Sequence, residues 1–134
     1  MSITSVADPH LRAHTESRPT VEVTALLNEQ HYGDATYMTK RQLFATWPAC
    51  AEDRQTAKHL WKPPGEDGES LAVGVLGRAR AFVASLEERA PSVVAVTHHT
   101  AILALRSVLE YRPVTELVVE SLFLKAGFEV CSAG

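Results

Sequence analysis

The chain has 134 residues, is 46% hydrophobic and 22% charged, and carries a formal net charge of -3, the balance of a single globular domain rather than a disordered one. That charge excludes non-specific nucleic-acid binding through a basic patch, and no apolar run approaches the ~20 residues that span a bilayer. Met1-Ser2-Ile3-Thr4 lacks the basic start and long apolar core of a signal peptide, and Cys50 and Cys131 are too few and too far apart for a disulfide framework or a metal site, so free thiols in a reducing cytoplasm are expected.

In chain order, residues 3–6 read as a short strand broken by Asp8-Pro9, residues 11–17 as a short helix ended before Pro19, and residues 21–23 as a brief alternating strand. Residues 27–34 are polar, with a turn at Gly33-Asp34. Thr39 is expected to cap a short helix through Phe44 that Trp47-Pro48 closes, and residues 52–60 are weakly helical. Pro63-Pro64-Gly65-Glu66-Asp67-Gly68 is a loop. Glu69-Ser70 then opens the longest helix, to about Arg89, with Leu71, Val75, Ala79, Phe82 and Leu86 along one face and Arg78, Arg80, Glu87, Glu88 and Arg89 largely off it.

Residues 93–97, Val-Val-Ala-Val-Thr, predict a strand buried on both faces, as in a parallel sheet. Thr100 is positioned as the N-cap of a following helix whose apolar residues are Ala101, Ile102, Leu105, Val108 and Leu109. His98 therefore falls where strand passes to helix. In open α/β sheets ligands collect at that edge, and the helix start favours anions there. A single histidine in this place is more often a hydrogen-bonded structural residue; what tips the balance towards a phosphate contact is the remainder of the chain. Beyond Pro113, residues 116–124 suit helix or strand, and residues 128–131 a last short strand. Helix, strand and helix in the second half predict an α/β domain.

Several stretches resemble one family in its own order. Leu27-Asn28-Glu29-Gln30-His31-Tyr32-Gly33-Asp34 resembles the L-x-E-x-x-x-G element of the histidine phosphatase superfamily, which includes the phosphoglycerate mutases. Met38-Thr39-Lys40 resembles the leucine-asparagine-lysine of the mutase branch, Pro63-Pro64-Gly65 with Gly68-Glu69-Ser70-Leu71 resembles the P-P-G-G-E-S-L loop, and residues 94–105 resemble the V-x-V-T-H segment with its helix. The resemblance runs from about Leu11 to Leu109. It implies a three-layer, phosphoglycerate mutase-like sheet flanked by helices, and phosphomonoester hydrolysis through a phosphohistidine. Residue by residue, it implies that His98 is the second, oxyanion-holding histidine, Glu29 the acid/base, Arg12 the second phosphate-binding arginine, and Tyr32 and Lys40 substrate contacts.

The chain also departs from the pattern. None of its arginines is followed by histidine, so the Arg-His-Gly of the nucleophile is missing, and with it the family's central first strand. Glu16 stands where the family has threonine four residues after the arginine, His99 replaces a common glycine, and Trp61-Lys62 stands near a basic pair of the mutases. Residues 1–134 are accordingly expected to form a partial histidine phosphatase domain, inactive alone. The alternative is a non-catalytic module binding phosphate or a partner. The expected partners are a small phosphorylated substrate or inorganic phosphate, and a second copy or an N-terminal complementing segment that fills the sheet. No nucleic acid, membrane, metal or cofactor is expected.

Overall fold

The computed structural model describes residues 2–3, 20–86 and 92–125. Strand β1 (Ser2–Ile3) pairs antiparallel with β2 (Glu22–Val23), Ser2 opposite Val23 and Ile3 opposite Glu22. This is the only sheet among the described residues. The parallel, three-layer sheet implied by the resemblance is not seen among them. The expected helix at 11–17 and strand at 128–131 lie outside the described residues.

Two 3-10 turns follow. In Ala25–Leu27, the Thr24 side chain accepts a hydrogen bond from the Leu26 N–H at 3.2 Å, and Leu27 is fully buried. In Gly33–Ala35, Gly33 adopts φ +54°, and a Cβ there would lie 2.2 Å from the Pro64 carbonyl oxygen. Only glycine fits that approach. The neighbouring Asp34 N–H donates to the same carbonyl at 2.7 Å, so the segments at 27–34 and 63–70 are built against each other.

Helix α1 (Lys40–Thr46) starts as the sequence predicts. Thr39 Oγ1 accepts from the Gln42 N–H at 3.2 Å while Gln42 Oε1 accepts from the Thr39 N–H at 2.9 Å, a reciprocal cap. Helix α2 (Ala49–Thr56) begins three residues before the predicted start, because Pro48 already has helical dihedrals and leads straight into it. The long helix opens with one π-type turn, Leu71–Val75, in which the Val75 N–H reaches back five residues to the Ser70 carbonyl at 3.2 Å. It continues as α3 (Leu76–Leu86), and residues 87–91 are outside the described set. Its predicted face is the buried one: Leu71, Val75, Ala79 and Phe82 are at most 4% exposed.

Residues 93–97 correct the sequence reading. They form no strand ladder, only a single bridge at Ala95, and Val93, Val94 and Val96 are 36%, 40% and 52% exposed. A Val-rich run is buried on both faces only where strands flank it, and no ladder flanks this one among the described residues. Helix α4 (His99–Glu110) then starts two residues earlier than expected, with His98 rather than Thr100 as its N-cap. It buries Ala101, Leu103, Ala104 and Leu105, whereas Ile102 and Leu109, assigned to the same face from sequence, are 43% and 58% exposed. Tyr111, left-handed at φ 54°, ends it. Helix α5 (Val114–Lys125) settles the ambiguity at 116–124 in favour of helix and packs Leu117 and Val118 onto the core formed with α3, α4 and Leu27. None of the described helices is long and apolar enough to cross a membrane.

Candidate functional site

The amino end of α4 is the meeting point of distant segments. Thr97 Oγ1 donates to the Leu27 carbonyl at 2.8 Å, and three residues on Glu29 Oε2 accepts from the Thr100 N–H at 3.2 Å. Glu29 Oε1 accepts from the Gln30 N–H at 2.9 Å. The N-cap His98 makes no side-chain capping bond. Glu29 supplies from across the chain an acceptor that the local cap does not, at the helix end where negative charge is favoured. The His98 side chain is exposed and has no hydrogen-bond partner among the described residues. Its neighbour His99 turns elsewhere: His99 Nε2 lies 3.0 Å from Ser121 Oγ on α5.

Sequence reasoning missed what holds Glu29 in place. The Arg78 guanidinium donates through Nη1 to the carbonyls of Leu26 (3.0 Å) and Asn28 (2.8 Å), more loosely to that of Ala25 (3.3 Å), and through Nη2 to that of Glu29 (3.4 Å). It also pairs with the Glu69 carboxylate through Nε and Nη2. Glu69 in turn accepts from the His31 N–H at 3.0 Å, while its backbone carbonyl accepts from Gln30 Nε2 at 2.7 Å. Both flanks of Glu29 are thus clamped to the start of the long helix. The Gly-Glu-Ser motif was visible in sequence, but Arg78 was assigned to the solvent side, and nothing in its spacing marks it as Glu69's partner.

Of the other predicted site residues, Tyr32 is half-buried, its ring 6.1 Å from that of Trp61 at a 55° tilt. Lys40 is exposed at the start of α1, and no contact joins it to Glu29 or His98 among the described residues. Arg12 lies outside the described residues, as does Cys131; Cys50 is a free, half-buried thiol. A small hollow beside the helix start is lined by residues that include Tyr32, Arg54, Trp61, His99, Thr100 and Ser121. Arg54 lies over the Trp61 ring, 5.5 Å from its centroid. Trp61 is buried, yet its indole Nε1–H has no acceptor among the described residues, a state that costs about 1–3 kcal/mol. Among the described residues no cluster of histidine, cysteine and carboxylate side chains is arranged to hold a metal.

The Glu29 carboxylate thus lies at the amino end of α4, where His98 is the N-cap. The sequence pattern of the Histidine phosphatase superfamily (branch 1) matches residues 7–120, and the chain belongs to that superfamily. Its fold class is therefore α/β and its general function of the histidine phosphatase type. No curated protein and no solved structure matches the chain.

Proposed function

We propose that the chain binds a phosphomonoester, or inorganic phosphate, at the amino end of α4. His98 donates to the phosphate oxygens and Glu29 stands as the acid/base that would protonate a leaving alcohol. Tyr32 borders the leaving-group side, and the resemblance adds Arg12 and Lys40 as cationic contacts. The observation that carries this reading is the 3.2 Å hydrogen bond from the Thr100 N–H to Glu29, which joins groups 71 residues apart at the helix start beside His98.

Turnover is a separate matter. With no arginine followed by histidine in its 134 residues, the chain offers no counterpart of the phosphorylated histidine, and among the described residues no partner orients His98 as a substitute. We infer a binding module that is inactive alone. The exposed valines at 93, 94 and 96 favour a second feature of this reading, in which a further strand, from a second copy or a complementing N-terminal segment, joins residues 93–97 and extends the sheet into the family's layered form.

Titration calorimetry with phosphate and vanadate tests the proposal. Binding is expected, His98→Ala should weaken it about tenfold or more, as loss of a charge-assisted donor does, and p-nitrophenyl phosphate turnover should stay at background. Absence of heat, or identical heats for His98→Ala, overturns the binding reading. Robust turnover that His98→Ala abolishes overturns the inactivity. Sedimentation of the same samples should show self-association, and a clean monomer counts against a second copy as the added strand.

A further inference from the structure

Among the described residues there are two apolar cores, and they share no residue. The larger joins Leu27, the long helix, α4 and α5 through thirteen buried residues. The smaller has three, Ala35, Leu43 and Trp61, with Tyr32, Phe44, Trp47 and Cys50 packed against them. Helices α1 and α2 contribute only to the smaller core, and between them they bury Leu43 alone, since α2 buries none. The free energy that holds an element in place grows with the apolar surface it covers. This helix pair is therefore held far less firmly than α3, α4 and α5.

Hydrogen bonding draws the same boundary. Among the described residues, every hydrogen bond of residues 35–57 ends on a residue between 32 and 61. Fastenings to the larger core's side lie just beyond the two ends of the stretch. The Asp34 N–H donates to the Pro64 carbonyl at 2.7 Å, and the Ala72 N–H donates to the His59 carbonyl at 2.9 Å. Inside the first of these, the fully exposed Tyr37 holds φ +67°, a left-handed conformation that a bulky residue adopts at a cost. The small hollow beside the α4 start lies in the joint between the cores, lined by Arg54 and Trp61 on one side and by Leu103, Val118 and Ser121 on the other.

We propose that residues 35–57 are a lid that opens as one unit while the larger core stays folded, and that its opening uncovers the α4 start. Tyr32 packs against the smaller core with its ring 6.1 Å from that of Trp61, so it leaves the site with the lid. Only this gating of the site rests on the phosphate reading above; the separate opening does not.

The test uses the full chain. Its two tryptophans, Trp47 and Trp61, both lie in the smaller core, so their fluorescence reads the lid, while far-UV circular dichroism reads mainly the longer helices α3, α4 and α5. In urea the fluorescence transition should come first. Without urea, hydrogen exchange should be at least about tenfold faster at the amides of residues 43–47 than at those of residues 103–107. Leu43→Ala should advance the fluorescence transition and leave the other in place, whereas Leu117→Ala, in the larger core, should advance both. Coincident transitions, equal exchange at the two sites, or a Leu43→Ala chain in which both transitions advance together overturns the inference. The gating is read with two probes. At twice its Kd, p-nitrophenyl phosphate should slow exchange at residues 43–47 about threefold, and inorganic phosphate, which does not reach Tyr32, should leave it unchanged. Slowing by both probes or by neither, when calorimetry shows both to bind, overturns the gating. If calorimetry shows that neither binds, the phosphate reading falls and the separately opening unit stands on its own transitions.

Discussion

At the amino end of α4 a carboxylate from a distant loop, Glu29, meets the helix N–H groups, and the imidazole of His98 is left exposed. At the carboxyl end two arginines and three glutamates close on one another: Arg106 with Glu110 and Glu120, Arg112 with Glu110, Glu116 and Glu120. Only the first has the sign that the helix dipole favours; the second sums to one negative charge, with Glu110 the last residue of α4 and no basic residue in its last turn. They differ in what is left over. The carboxyl-end charges are met by nearby residues of α4, α5 and their connection, which ties the hairpin together. The amino end is completed from far along the chain, by a loop clamped through Arg78, and retains a donor with no partner among the described residues. The proposed phosphate site is at the end that stops short of closure among the described residues.

The largest expected effect comes from breaking the clamp. Arg78→Ala removes the donor to the carbonyls of Leu26 and Asn28 and leaves the half-buried Glu69 carboxylate without its cation. The cost should be about 2–4 kcal/mol in urea unfolding, and phosphate affinity should fall with it because Glu29 and its loop lose their frame. Arg78→Lys should rescue little of either, since one ammonium cannot reproduce the planar fork. If Arg78→Ala lowers stability and leaves phosphate binding intact, the amino end does not depend on the clamp and the contrast between the two ends is weaker than drawn.

A smaller effect, opposite in sign for binding, is expected from Glu29→Gln. The amide still accepts from the Thr100 N–H, so stability should drop by only about 0.3–1 kcal/mol, the worth of one charge at a helix start. An incoming phosphate would no longer meet a carboxylate, and its affinity should rise roughly 3- to 10-fold. Calorimetry on this variant beside His98→Ala separates the two roles: affinity rising in one and falling in the other sharpens the assignment, whereas a fall in both would make Glu29 a phosphate-binding donor instead.

These contrasts also explain what was legible in the sequence. Elements set by local chemistry were read correctly: the Thr39 cap, the Gly33 turn, the buried face of Leu71, Val75, Ala79 and Phe82. Glu29 and His98 stand out in the sequence because their motifs are short and continuous. What failed depends on partners distant in the chain. Thr100 reads as an N-cap in isolation, but its N–H is taken by Glu29, and the cap position passes to His98. Val93, Val94 and Val96 read as doubly buried because composition cannot say whether flanking strands are present. Arg78 reads as a solvated residue on the polar side of a helix; the carbonyls that bind it lie some fifty residues earlier.

The smallest effect, and the one that reads the carboxyl end alone, is the pH dependence contributed by Glu120. Hydrogen bonds from Arg112, and then from Arg106, hold its carboxyl below the ordinary value of 4.5. Hydrogen bonds to Glu110 and then Glu120 raise Arg106, and those to Glu120 and then Glu116 raise Arg112, so both arginines stay charged throughout the working range. A carboxylate held lower in the folded chain than in the unfolded one contributes its stability in full above pH 4.5, and loses it as pH falls through that value towards the folded one. Glu120→Gln should therefore melt about 1–2 °C below the parent at pH 7, with the gap closing as the pH drops below 4.5. The groups remain in contact with solvent, so added salt at neutral pH should shrink the gap as well. A gap that persists unchanged at pH 3 and in high salt would mean that Glu120 acts through packing between α4 and α5 rather than through charge, and the carboxyl end would then no longer stand as the electrostatically closed counterpart of the site.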